Sequence, residues 1–163
     1  MLMVNELIGF GVGSSVVETS YANAGGTGDR TASITVSGLT IDEGTLNNLV
    51  DGDFANGAGG SVSPDAGTTA FKFDFGSNKV IDEFKLYGNT TQSTGWTVQW
   101  AGSTDDASYS DIGSPELLTI TTAGTTHAAL AGNQTAYRYY RATSSSGNPN
   151  SGHYWREFEF KIF

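Results

Sequence analysis

The sequence predicts an all-β sandwich or barrel, and three observations carry that prediction. Charged residues make up only 15 % of the chain, against a usual share of about 25 %. Glycine reaches 22 residues and aromatics 12 %, with only 3 prolines, a composition suited to short strands joined by small polar loops. Short runs alternate apolar and polar side chains with a period of two, and turn residues separate them. No helical run longer than about two turns stands out, and there is no internal repeat. A chain of 163 residues fits one domain that buries about 70 % of its unfolded surface.

Residues 1–30 differ from the remainder, with a mildly apolar Met1–Phe10 followed by Gly, Ala, Ser and Thr without sustained period. Two readings stand side by side: a flexible lead-in, and an arm that docks on a partner. Either way the sandwich is expected over 31–163 and is expected to fold without the extension. TASITVS sets Ile34 and Val36 on one face, and IDEGTLNNLVDGDF reads as one helical turn followed by an Asp-Gly turn. FKFDFG turns Phe71, Phe73 and Phe75 inward and Lys72 and Asp74 outward. KVIDEFKLYG sets Phe84 and Leu86 against Glu83, Lys85 and Tyr87, and GWTVQWAG sets Trp96, Val98 and Trp100 against Thr97 and Gln99. ELLTITT and AYRYYRAT follow. The closing YWREFEFKIF puts Phe158, Phe160 and Ile162 opposite Glu157, Glu159 and Lys161. Chain ends fray unless a sheet holds them, so this strand is expected to be woven into the sandwich.

The net charge of −9 repels phosphate backbones, and no block of Lys or Arg reverses it locally, so no nucleic-acid partner is expected. Without cysteine there are no disulfides, no thiolate chemistry and no cysteine-ligated zinc. No apolar run approaches the roughly 20 residues of a membrane span. MLMVNELIGFGVGSS lacks the basic start and apolar centre of a signal peptide, so no leader is expected.

The segment order resembles the discoidin, or coagulation-factor type C, domains among the galactose-binding-like jelly rolls. Five stretches carry it: NLVDGD (48–53), FKFDFGSNKVIDEFKLYG (71–88), WTVQWAGSTDDASYSDIG (96–113), RYYRAT (138–143) and REFEF (156–160). The resemblance covers about residues 40 to 163. It implies a single jelly-roll β-sandwich of about eight strands with an N-terminal extension, and a non-catalytic module that binds carbohydrate. Where family members commonly carry Thr-x-Trp or Ser-x-Trp after the Asp-Gly turn, this chain has Phe54-Ala55-Asn56-Gly57-Ala58-Gly59-Gly60.

Catalysis is not expected. His127 and His153 each sit in a polar, loop-like context without a spaced partner, and HExxH, GxSxG and P-loop motifs are absent. Paired carboxylates could cleave a glycoside, but a sequence does not set their separation. Calcium takes six to eight oxygens, and LVDGDF offers Asp51 and Asp53 around a tight bend at Gly52. The resemblance adds Glu157, at the start of the last strand, as the ligand that completes a structural Ca²⁺ site. The alternative is that Asp51 starts an ordinary turn while Glu157 faces solvent.

For a sugar, SSSGNPNSGHYW (144–155) offers Asn148, His153 and Tyr154, an amide, an imidazole and an aromatic face; Trp155 reads as core. Arg138 and Arg141 read as structural partners of acidic residues. The loop-rich stretches 51–67 and 144–155 are expected at one end of the sandwich. NELIGFGVGSS also looks like the starts of small structural proteins of tailed bacteriophages. The composite expectation is a virion surface or tail protein that contacts a host cell-surface polysaccharide. It would meet other virion proteins through residues 1–30, and copies of itself could add to these partners. The competing expectation is a purely structural decoration or connector protein without its own ligand.

Overall fold

The computed structural model describes residues 17–38, 40–41, 43–60, 69–146 and 153–163. Among them nine strands form two antiparallel sheets. In chain order they are β1 (Thr35–Gly38), β2 (Ala58–Gly60), β3 (Thr69–Lys79), β4 (Ile81–Gly88), β5 (Gln92–Ser103), β6 (Ser110–Ile120), β7 (Thr125–His127), β8 (Tyr137–Ser146) and β9 (His153–Ile162). The five-stranded sheet runs β1-β3-β8-β5-β6 and the four-stranded sheet β2-β9-β4-β7. One 3₁₀ turn, Leu46–Leu49, stands where the sequence predicts a helical turn.

Alternation decides which side chains meet between the sheets. Phe71, Phe73, Trp96, Val98 and Trp100 from one sheet and Phe84, Leu86, Phe158 and Phe160 from the other are fully buried in one cluster. Rings cross the gap edge-on or tilted: Phe71 to Phe158 at 5.0 Å, Phe73 to Phe160 at 5.0 Å, Phe84 to Trp100 at 4.9 Å. Each such pair is worth about 0.5–1.5 kcal/mol beyond the area it buries. Trp155 is core, as the sequence predicts.

Two features position the rest. The β3–β4 corner is tied by the Tyr140 hydroxyl, which donates to the Lys79 carbonyl (2.8 Å) and accepts from the Ile81 amide (3.2 Å) and Asn133 Nδ2 (3.2 Å). Along β9, the short β2 covers only the start of one edge, through Ala58–Trp155 and Gly60–His153. Residues 20–30 take over from there. The Gly26 carbonyl accepts from Phe160 N (2.9 Å), and Ser20 exchanges two backbone bonds with Ile162. The described part of the expected arm, 17–30, thus lies along the closing strand.

His127 departs from the loop-like context expected of it. It lies in β7, is buried, and stacks on Phe84 at 5.0 Å. Its Nδ1 meets Glu116 Oε1 (3.0 Å) and its Nε2 meets the Thr119 carbonyl (2.8 Å). No short sequence motif contains this pairing, because the partners lie on β6, in the opposite sheet.

Candidate functional site

Strand register collects the loop-rich stretches at one end of the sandwich. Gly60 faces His153, Thr69 faces Thr143 and Gly88 faces Trp155, so the flanks of segments 61–68 and 147–152 and the β4–β5 connection share that end. Asn148 lies outside the described residues, as does the side chain of His153. Tyr154 is half-buried, and its carbonyl accepts from Asn89 N (3.2 Å), which ties the β4–β5 connection to β9. Its ring lies against Gly57, where an added Cβ would stand 2.6 Å from Tyr154 Cε1. Only glycine admits the ring there.

Beside Tyr154 the structure brings together residues that the sequence did not single out for ligand binding. Phe54 is 42 % exposed, unusual for a phenylalanine, and meets Tyr87 edge-on with centroids 4.7 Å apart. The turn that displays it is braced from within: Asp53 Oδ1 accepts from Ala55 N (2.8 Å) and Asp53 Oδ2 from Asn56 Nδ2 (2.6 Å). Arg156 Nη1 donates to the Phe54 carbonyl (2.8 Å), while Arg156 Nε is buried with no partner among the described residues. The Tyr87 hydroxyl donates to Glu159 Oε2 (2.7 Å); burial first, then that carboxylate, pushes the phenol up to about 12. Tyr87 therefore stays neutral and fixed. Two aromatic faces, a guanidinium and the neighbouring Tyr154 make a surface suited to a hydroxyl-rich, partly apolar ligand. The signal in the sequence was a lone Phe in a Gly- and Ala-rich loop, together with the outward setting of Tyr87.

The proposed calcium ligands have a different arrangement from the one expected. Asp51 Oδ1 accepts from Asp53 N (2.9 Å) and Asp51 Oδ2 from Asn48 Nδ2 (2.9 Å). Both oxygens of Asp53 are engaged within its own turn. Glu157 is fully buried; its Oε2 accepts from Gly52 N (3.1 Å) and its Oε1 lies against Arg30 Nη2. Among the described residues no group of three or more His, Asp or Glu side chains is set to hold a metal ion. Asp51, Asp53 and Glu157 as arranged do not fit a shared Ca²⁺, because the carboxylates already face N–H donors.

The cation beside Glu157 is organic. The Arg30 guanidinium, 2 % exposed, donates to the carbonyls of Gly28 (2.9 Å), Gly26 (2.8 Å) and Phe158 (2.6 Å). Three carbonyls and a carboxylate are the kind of oxygen set a hard cation would take. Burial depresses the guanidinium to about 10, which still leaves it charged at neutral pH. Gly52, at φ 74°, makes the contact possible, since a Cβ there would strike the Gly28 backbone at 2.6 Å.

No protein-family model matches the sequence, and no curated protein does. Solved structures of similar fold do exist. The C-terminal domain of a chitobiase from Bacteroides fragilis superposes with a TM-score of 0.64 at 16 % identity, over 82 % of this chain and 95 % of that one. CpGH89CBM32-5 from Clostridium perfringens, in complex with GalNAc-β-1,3-galactose, gives 0.59 at 13 % identity, over 82 % and 96 %. The CBM32 of AlyQ in complex with 4,5-unsaturated mannuronic acid gives 0.55 at 21 % identity, over 77 % and 92 %. A family 89 glycoside hydrolase from Clostridium perfringens also matches, at 0.59 and 17 % identity, but the chain spans only 14 % of its length. These likenesses establish the fold: a β-sandwich of the kind seen in CBM32 domains.

Proposed function

We propose that the chain is a non-catalytic carbohydrate-binding module whose glycan contact lies at the loop end, around Phe54, Tyr87, Tyr154 and Arg156. The observation that carries the reading is the exposed Phe54, held edge-on to Tyr87 by a braced turn and an Arg156 bond. A large apolar ring held in water by such a scaffold is displayed, and a sugar face is the ligand that stacks on it. Asn148 and His153, in the same stretch as Tyr154, belong to the proposed contact by residue type. Structures of similar fold that carry sugars support the ligand class. The virion setting is part of the same reading and rests on the opening NELIGFGVGSS alone; it makes the ligand a host cell-surface polysaccharide.

A glycan array of the purified protein tests the class, and Phe54→Ala and Tyr154→Ala test the place. Each variant is expected to weaken sugar binding about two- to tenfold while melting as the parent does, since a stacking contact is worth about 0.5–1.5 kcal/mol. An array on which nothing binds the parent favours the connector role. Retained binding in both variants moves the contact away from this end.

A further inference from the structure

A second polar cleft opens on the outer face of the five-stranded sheet, running from Thr69 near the loop end to the β5–β6 connection. It holds about 310 Å³ and is lined by Ser37, Thr69, Lys72, Asp106, Tyr109 and Arg141, with the backbone of Gly38. Strand register builds its floor: Lys72 of β3 pairs with Arg141 of β8 and Ser37 of β1, and Arg141 pairs with Ala101 of β5. The small Ala101 leaves room beside Arg141, and Tyr109 from the β5–β6 connection lies over the guanidinium, with Cζ 3.8 Å from the ring centroid.

The wall is held deliberately. Asp106 sits at φ 62°, a left-handed conformation that costs a non-glycine residue about 1 kcal/mol or more. Ser103 Oγ accepts from the amides of Asp105 (3.2 Å) and Asp106 (3.1 Å), and Asp105 Oδ1 accepts from those of Ala107 and Ser108 (both 2.9 Å). Asp106 then takes Lys72 Nζ (2.8 Å) on one oxygen and the Tyr109 hydroxyl on the other. Its charge is thereby spent. Burial, followed by Asp106, raises the Tyr109 phenol well above its usual range, so the ring stays neutral.

Arg141 has no salt-bridge partner among the described residues. It is half-buried, and its Nε is buried with no hydrogen-bond partner among the described residues. Arg138, three residues earlier on the same strand, grips Asp74 at both ends (2.7 and 2.8 Å). Among the described residues, the expectation that both arginines are structural partners of acids fits Arg138 only. The one carboxylate among the described lining residues, Asp106, is engaged by Lys72 and Tyr109, so in a chain of net charge −9 the Arg141 guanidinium is set for an anion from outside. Ser37 and Thr69 add hydroxyls to the rim, which suits a ligand with hydroxyls around its acid group.

We propose that this cleft is a separate binding site for a carboxylate-bearing saccharide, a uronic acid unit, whose carboxylate is taken by Arg141 with Lys72 beside it. That the anion belongs to a sugar rests on the function proposed above; that the cleft takes an anion does not. Titration of the full chain with an oligogalacturonate, followed by amide chemical shifts, reads both statements. Shifts are expected at Lys72, Tyr109 and Arg141, with affinity falling as salt rises. Arg141→Gln is expected to weaken binding about ten- to a hundredfold, the loss of a charged hydrogen-bonding pair, while Phe54→Ala leaves it unchanged. Arg141→Lys keeps the charge without the fork and is expected to fall between the two, which separates the site from a folding defect. No shifts at the cleft, or equal binding by Arg141→Gln, overturns the anion site. Inorganic sulfate binding as tightly as the oligogalacturonate overturns the saccharide. Loss of both oligogalacturonate and neutral-glycan binding in Phe54→Ala collapses the two sites into one.

Discussion

The Tyr140 hydroxyl is one oxygen atom with three partners, and it shows how much of this fold depends on single groups. It is buried, and it ties the β3–β4 corner to the loop before β8. Tyr140→Phe leaves the Lys79 carbonyl and Asn133 amide short of a partner and is expected to cost about 1–3 kcal/mol. At about 2–4 °C per kcal/mol for a chain of this size, a melting curve reads it easily. Arg30 is the sharper case. Arg30→Met leaves the Glu157 carboxylate buried without its guanidinium and is expected to cost about 3–5 kcal/mol, with Glu157→Gln added on top recovering part of the loss. The parent is expected to melt at the same temperature with and without EGTA. A chelator-dependent melt, or a single variant as stable as the double, would overturn the ion-pair account.

The same scale sets the response to acid. The Arg138 fork holds the Asp74 carboxyl below the usual carboxylate range, with the Gly76 amide helping. A carboxyl whose folded-state pKa is depressed gives stability that is present above the unfolded value of about 3.9 and is lost as pH falls through the folded value. Stability is therefore expected to fall below about pH 4, and Asp74→Asn is expected to flatten part of that slope. Identical acid profiles for the two proteins would remove Asp74 from the account.

At the scale of elements, β9 carries the architecture. One edge is held along its length by β4, from Gly88–Trp155 to Ile81–Ile162. The other edge is shared between β2 and residues 20–30, with the Arg30 guanidinium supplying the donor for the Phe158 carbonyl where no strand does. A chain lacking residues 1–30 would expose that edge and leave Glu157 buried alone. The truncated protein is expected to be strongly destabilised or to associate through the open edge. A truncated domain that melts as the parent does would mean the extension only decorates the sandwich. Another edge is blunted differently: β6 carries Pro115 beside a register shift against β5, at a position where a missing amide disturbs no ladder.

At the scale of the molecule, the sandwich core lies apart from both proposed binding surfaces. One aromatic cluster fills the space between the sheets, and the proposed sugar contact and the Arg141 cleft occupy an end and an outer face that the cluster does not need. Substitutions at Phe54 or Arg141 are therefore expected to alter binding with little change in melting, whereas Phe158→Ala is expected to cost about 3–5 kcal/mol.

Strand alternation is a local property, and the sequence by itself determined everything that follows from it. The inward settings of Phe71, Phe73, Phe75, Trp96, Trp100, Phe158 and Phe160 are legible without coordinates, because successive side chains in a strand must take opposite faces. So are the outward settings of Lys72, Asp74 and Tyr87, the turn at Leu46–Leu49, and the sandwich class itself. Which polar groups meet was decided only by the tertiary structure. Arg30 reaches the Phe158 carbonyl across 128 residues of chain, and the 17–30 segment finds β9 because β2 is too short to cover it. Phe54, in a turn, meets Tyr87 of β4, and Arg141 differs from Arg138 through register and the small Ala101 beside it. Register and edge occupancy are set by the packing of the whole core, and no short window of sequence contains them.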